Sequence, residues 1–143
     1  MKKLTWWFRI VGGFYLLLGV MNVVFDIIDP QLVAAGSLPA SYTPDEVTVK
    51  ALVHTFLPSS LAFVVLGALL LYYSRQPARA GILVLTIALL ELLTWVPYNV
   101  IWFMIGLPVA PAIPFLIIHL LIGITGVLFL QHASAKAAEL LKA

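Results

Sequence analysis

Apolar residues occupy this chain in four long blocks, and the short stretches between them collect most of the charge. The blocks cover about residues 6–28, 51–73, 80–105 and 113–130, and each is apolar on nearly every side when wound as a helix. Crossing a hydrocarbon core of about 30 Å takes roughly 20 helical residues, so each block is long enough to span a bilayer. Between the first two blocks, Thr43-Pro44-Asp45-Glu46 reads as a helix start: Thr43 at the N-cap, Pro44 at N1, and Glu46 at N3 closing a capping box. The pattern therefore predicts helices over 6–28, 44–73, 80–105 and 113–131, with an outer loop at 29–43. The uncharged segment 106–111 should skim the outer interface, and the Ala-rich tail from His132 should continue the fourth helix. The expected fold is all-α: a polytopic integral membrane four-helix bundle, with residues 1–143 forming a single transmembrane domain.

Composition supports that picture. Of 143 residues, 63% are hydrophobic and 10% charged, with a mean hydropathy of +1.10. An average soluble domain is about one quarter charged, and a small one leaves much of its surface exposed. Lipid is the solvent that so apolar a chain requires. The eight basic residues give a net charge of +2 but are dispersed, which argues against nucleic acid. The absence of cysteine excludes disulfides, thiolate catalysis and Cys-ligated metals.

The basic residues set the orientation. Lys2, Lys3 and Arg9 flank the first block, Arg75 and Arg79 lie between the second and third, and Lys136 and Lys142 follow the fourth. Of the eight, only Lys50 falls on the opposite side. That bias places both termini and the 74–79 turn in the cytoplasm; the expected localisation is a membrane, multi-pass, in a bacterial inner membrane. Trp6, Trp7, Tyr72 and Tyr73 then lie at the inner aromatic belt. A rival reading makes residues 1–35 a cleaved signal peptide, since Val33-Ala34-Ala35 offers small residues. The first block is longer than a signal h-region of about 7–15 residues, so an uncleaved helix is expected.

Polar residues inside the blocks carry the candidate chemistry. At a rise of about 1.5 Å per residue, Glu91 falls near the middle of the third block and His119 about one turn outward of the middle of the fourth. Asn22 and Asp26 lie in the outer half of the first block, His54, Ser59 and Ser60 in that of the second, and Tyr98 and Asn99 in that of the third. Glu91, Trp95, Tyr98 and Trp102 follow helical spacing and share a face. Pro58 and Pro97 deprive the carbonyls of His54 and Leu93 of their usual donors, which is tolerated where protein or a wet cavity satisfies them. These features predict a polar, aromatic-lined cavity open toward the outer side. Its expected ligand-binding residues are Asn22, His54, Glu91, Trp95, Tyr98, Asn99 and His119. Glu91 and His119 are the candidate catalytic pair, because intramembrane ionisable residues tend to be functional. The same pair also serves a purely structural role if it only fixes the bundle. Asp26 is expected to reach the outer interface and Arg9 to snorkel to the inner one. No two of His54, His119, Glu91 and Asp26 have the i, i+3 or i, i+4 spacing of a metal-binding helix, so no metal is assigned. No motif names a cofactor.

Gly12 and Gly19, and Gly123 and Gly126, are positioned to mark close helix contacts, although no strict GxxxG occurs. The segment Arg9-Ile10-Val11-Gly12 opens the first helix, Gly19 follows within it, and Arg79-Ala80-Gly81 opens the third. In this plan the chain resembles the DoxX-like class of small four-helix membrane proteins. That resemblance implies a membrane subunit associated with quinone-linked redox enzymes. The chain departs from the pattern at Asn22 and Asp26, where basic residues commonly follow the first helix. In layout it is also similar to the EXPERA proteins, four-helix bundles that bind or isomerise sterols in a lipophilic cavity. The expected function is a binding or accessory subunit with a lipophile-accessible polar pocket. The alternatives are an isomerase-type membrane-embedded enzyme and, third, a proton-coupled transporter. Expected partners are membrane lipids, a quinone-, terpene- or sterol-like small molecule, and a membrane protein or a second copy of the chain.

Single cysteines at Ser41, Ser74 and Ser134 should label from outside, inside and inside respectively, because the basic residues demand it. Outside labelling at Ser74 would contradict the both-ends-in arrangement. An intact mass beginning near Gly36 would establish the signal-peptide reading.

Overall fold

A computed structural model describes residues 2–39, 41–104 and 109–140, without the side chains of 109–112, 134 and 136–140. All the elements among the described residues are helical. Helix α1 spans Lys2–Ile28, α2 Pro30–Ser37 and α3 Glu46–Tyr73; a 3₁₀ turn at Pro77–Arg79 leads into α4 at Gly81–Leu90. A π-helical turn at Glu91–Trp95 joins α4 to α5, Val96–Met104, and α6 runs from Val109 to Leu140. Four stretches are long and apolar enough to cross a membrane: Lys2–Ile28, Glu46–Tyr73, Gly81–Met104 and Ile113–Ala133.

The boundaries differ from expectation where capping or continuity intervenes. Helix α1 starts at Lys2 rather than residue 6, since nothing in Lys2–Thr5 breaks a helix. The expected outer loop contains α2, whose N-cap is Asp29: its Oδ1 accepts from the Leu32 amide at 3.1 Å, with Pro30 in the first turn. The cap of α3 is Asp45 rather than Thr43, with the Thr48 amide donating to Asp45 Oδ1 at 2.8 Å. Hydrogen bonds from the Thr48 side chain and amide hold the Asp45 carboxyl below its ordinary value. Helix α6 begins at Val109, four residues earlier than expected, and continues into the tail as one helix. The rest of the expected 106–111 loop lies outside the described residues.

The contacts run antiparallel in two pairs. Gly12 abuts Leu70 and Gly19 abuts Val64, so α1 and α3 lie backbone against backbone. Gly67 makes the same approach from α3: a Cβ there would stand 2.4 Å from the Leu16 amide nitrogen. Gly123 of α6 receives Leu92, and Gly126 receives the Trp7 ring and Ala88. The expected glycine contacts are all present, and Gly67 adds one that the sequence pattern did not single out. Trp7 ties the pairs together, its indole N–H donating to Thr125 Oγ1 at 3.1 Å. The core around Leu4, Phe8, Val11, Leu70, Val84 and Ile87 sits at the end holding the N-terminus and the 74–80 turn.

Large apolar side chains also face outward on each of these four stretches, among them Ile10, Val65, Ile82, Leu93 and Leu121. A monomeric soluble protein rarely exposes contiguous apolar patches of more than a few hundred Å². Ser74 is buried, its hydroxyl donating to Leu71 O at 2.7 Å, so exposed Ala78 is the better labelling position in that turn.

Gly67→Ala should lower stability by about 1–3 kcal/mol, since the methyl meets backbone rather than a yielding side chain. Gly13 has open space at its Cβ position. Gly13→Ala should therefore be neutral or stabilising by up to about 1 kcal/mol. Thermal unfolding in detergent reads both, and equal behaviour of the two variants would contradict the close α1–α3 contact.

Candidate functional site

The site begins with a backbone irregularity. Pro97 cannot donate a hydrogen bond, and the turn just before it is wound wider: the Val96 amide donates to Glu91 O, five residues back. Such π turns are rare and recur at functional sites. This one runs from Glu91 to Trp95, two of the residues on the predicted polar face. The Asn99 amide group donates to Trp95 O at 2.7 Å, supplying a side-chain partner where the helix changes winding.

Glu91 is fully buried and His119 is 3% exposed. Glu91 Oε2 and His119 Nδ1 are hydrogen-bonded between the π turn and α6, joining the third and fourth long apolar helices. The pair is walled by rings. The His119 imidazole stacks on Trp95 at 5.5 Å and 12°, and on Phe115 at 6.1 Å and 22°. Trp95 contacts Phe63 of α3 at 5.4 Å, and Phe63 stacks on Tyr15 of α1 at 5.5 Å and 13°. One chain of ring contacts thus reaches from α1 through α3 and the π turn to α6. A branch runs along α5 from Trp95 to Tyr98 and on to Trp102, both edge-on.

Among the described residues, four buried polar atoms in or beside this chain of rings have no hydrogen-bond partner: Glu91 Oε1, Trp95 Nε1, Trp102 Nε1 and Tyr15 OH. Buried polar groups are nearly always satisfied, so each of these calls for a further partner. Together they offer a carboxyl oxygen, two N–H donors and a phenol. The Glu91–His119 hydrogen bond adds a route by which a proton can pass between carboxyl and imidazole.

The expected site residues divide accordingly. Glu91, His119, Trp95 and Asn99 come together at or beside the π turn. Tyr98 is 44% exposed and touches Trp95 by its ring, so it does not face the interior as its helical register predicts. The extra residue in the π turn breaks the ideal spacing that placed it on the Glu91 face. His54 is exposed and Asn22 half-buried, and neither is among the residues bonded to or stacked on the pair. Asp26 corrects its assignment to the outer interface: it is 4% exposed, accepting a hydrogen bond from Ser60 Oγ at 3.0 Å. Tyr15 and Phe63 are site residues that sequence alone did not mark, because aromatics in an apolar helix are normally packing. Among the described residues no group of three His, Cys, Asp or Glu is placed to hold a metal. No family model, curated protein or solved structure matches the chain.

Glu91→Leu leaves His119 without its carboxyl and should destabilise by about 1–3 kcal/mol. His119→Leu leaves a buried carboxyl unpaired and should cost about 3–5 kcal/mol. The double variant removes both needs, so its loss should fall short of the sum by more than about 0.5 kcal/mol. Additive losses in a thermal-unfolding cycle would show that the two residues are not coupled.

Proposed function

We propose that the chain is a multi-pass membrane protein, both ends cytoplasmic, that holds the polar head of a lipophilic small molecule at the Glu91–His119 pair as a binding or accessory subunit. The four apolar helices and the one-sided distribution of basic residues support the membrane placement. The observation that carries the ligand is the set of unpartnered polar atoms at Glu91, Trp95 and Trp102, beside rings from three other helices. Burying such groups unsatisfied costs about 1–3 kcal/mol each, and more for a charge. A ligand with carbonyl or hydroxyl oxygens on a flat or branched apolar body meets both demands. Its oxygens reach the indole N–H groups and the carboxyl, while its body lies among aromatic rings. Quinone- and sterol-like molecules, and terpene-like ones that carry an oxygen, share that chemistry. The accessory role follows the layout likeness to DoxX-like proteins.

One observation favours a second reading. A carboxyl hydrogen-bonded to an imidazole can give a proton to one ligand atom and take one from another, as a double-bond isomerisation requires. In that case the pair acts on the ligand rather than only anchoring it.

Lipid and metabolite mass spectrometry of gently purified protein tests the proposal. Wild type should carry a stoichiometric lipophile bearing one or two oxygens. Glu91→Gln keeps shape and hydrogen-bonding capacity while removing ionisation. Under the binding reading it should retain most of that ligand; under the enzymatic reading turnover should fall about 10²–10⁴-fold with retention intact. Absence of any such molecule from wild type, or equal retention in Glu91→Leu, would contradict the site.

A further inference from the structure

A groove lies at the opposite end of the bundle from α2. It encloses about 440 Å³ between the start of α1 and the middle of α6, floored by Trp7, Val11, Ile122 and Thr125 and rimmed by Lys2 and Lys3. Its lining is apolar almost throughout, apart from the two lysines at its mouth. Hydrogen bonds tie the floor together: Trp7 donates to Thr125 Oγ1, and Thr125 Oγ1 in turn donates to Leu121 O. Trp6, on the wall, carries the Arg9 guanidinium 5.5 Å above its ring, bringing a third cation close. No acidic residue occurs in positions 1–25 to neutralise the three.

We infer that this groove binds an anionic phospholipid, with its phosphate at Lys2 and Lys3 and an acyl chain along the apolar floor. Charge and shape select the occupant together. Exposed cations alone attract any anionic surface, and an apolar groove alone accepts any chain; only an anionic lipid satisfies both at once. Basic pockets between spanning helices on the cytoplasmic side suit such headgroups. The orientation assigned from the basic residues puts the lysines at that side, so the inference rests on the membrane placement proposed above.

Protein reconstituted in vesicles of mixed phosphatidylcholine and phosphatidylglycerol, then extracted into mild detergent for native mass spectrometry, provides the test. Wild type should retain phosphatidylglycerol at least tenfold over phosphatidylcholine. Lys2→Gln with Lys3→Gln should weaken that retention roughly thirtyfold, at two basic residues near an anionic headgroup. Leu121 and Ile10 line the groove and are exposed, so Leu121→Trp and Ile10→Trp fill it with every charge in place. Either, folded as judged by wild-type unfolding temperature, should also displace the lipid. Equal retention of the two lipids, no effect of the lysine changes, or no effect of the filling variants would overturn the inference. So would displacement by equimolar inorganic phosphate, which would mark a free-anion site. Flotation with the vesicles separates the causes: a wild type that fails to float defeats the membrane placement, whereas floating protein without lipid preference defeats the groove alone.

Discussion

A carboxyl group buried at the midpoint of an apolar helix must find a partner, and the rest of this structure is arranged around how Glu91 finds one. In a low-dielectric interior an unpaired charge costs far more than the packing of any one neighbouring side chain can offset. His119, one helix away, supplies the hydrogen bond, and that bond joins the third and fourth long apolar helices near the midpoint of the third. The spans can meet there because Gly123, one turn further along α6, has no side chain to hold Leu92 away. The wide turn at Glu91–Trp95 belongs to the same solution: it absorbs the donor missing at Pro97 and sets Trp95 against the imidazole.

The two halves of the bundle are held by different means. Helices α1 and α3 touch through glycines, backbone on backbone, with Asp26 and Ser60 as the polar contact between them. The third and fourth long apolar helices also use glycines, Gly123 against Leu92 and Gly126 against Ala88, but add the ionisable pair between them. Trp7 at one end and the Tyr15–Phe63–Trp95 rings further along connect the halves. The ring-lined junction is where the proposed ligand would lie. The fixed glycine seam would stay unchanged around it.

Much of this was legible in the residues themselves, for identifiable reasons. Apolar runs of spanning length leave few alternatives to helices, and Glu91 and His119 stand out because nothing around them is polar. Asn99 and Trp95 followed by proximity. Other features depend on partners that one sequence cannot display. Gly67 is an isolated glycine in an apolar run until Leu16 is seen beside it. Asp26 stands near a helix end, where water is the obvious partner, and only the packing reveals Ser60. Pro97 signalled a disturbance without specifying its form, so the π turn and the outward swing of Tyr98 were out of reach. Helix α2 is a different case: Asp29-Pro30 is a good cap and first-turn pair that the surrounding loop composition obscured.

If Glu91 and His119 form one coupled polar unit inside the bundle, the imidazole must report the state of the carboxyl. The chain contains three histidines, His54, His119 and His132. A spectrum of protein labelled with ¹⁵N at histidine alone is therefore simple enough to assign by single substitutions. The His119 Nδ1 resonance should be displaced from those of His54 and His132 by its hydrogen bond to the carboxyl group. Replacing Glu91 with leucine should abolish that displacement and leave the other two histidines unmoved. A His119 resonance that matches exposed His54 in wild type, or that ignores the loss of Glu91, would contradict the coupling.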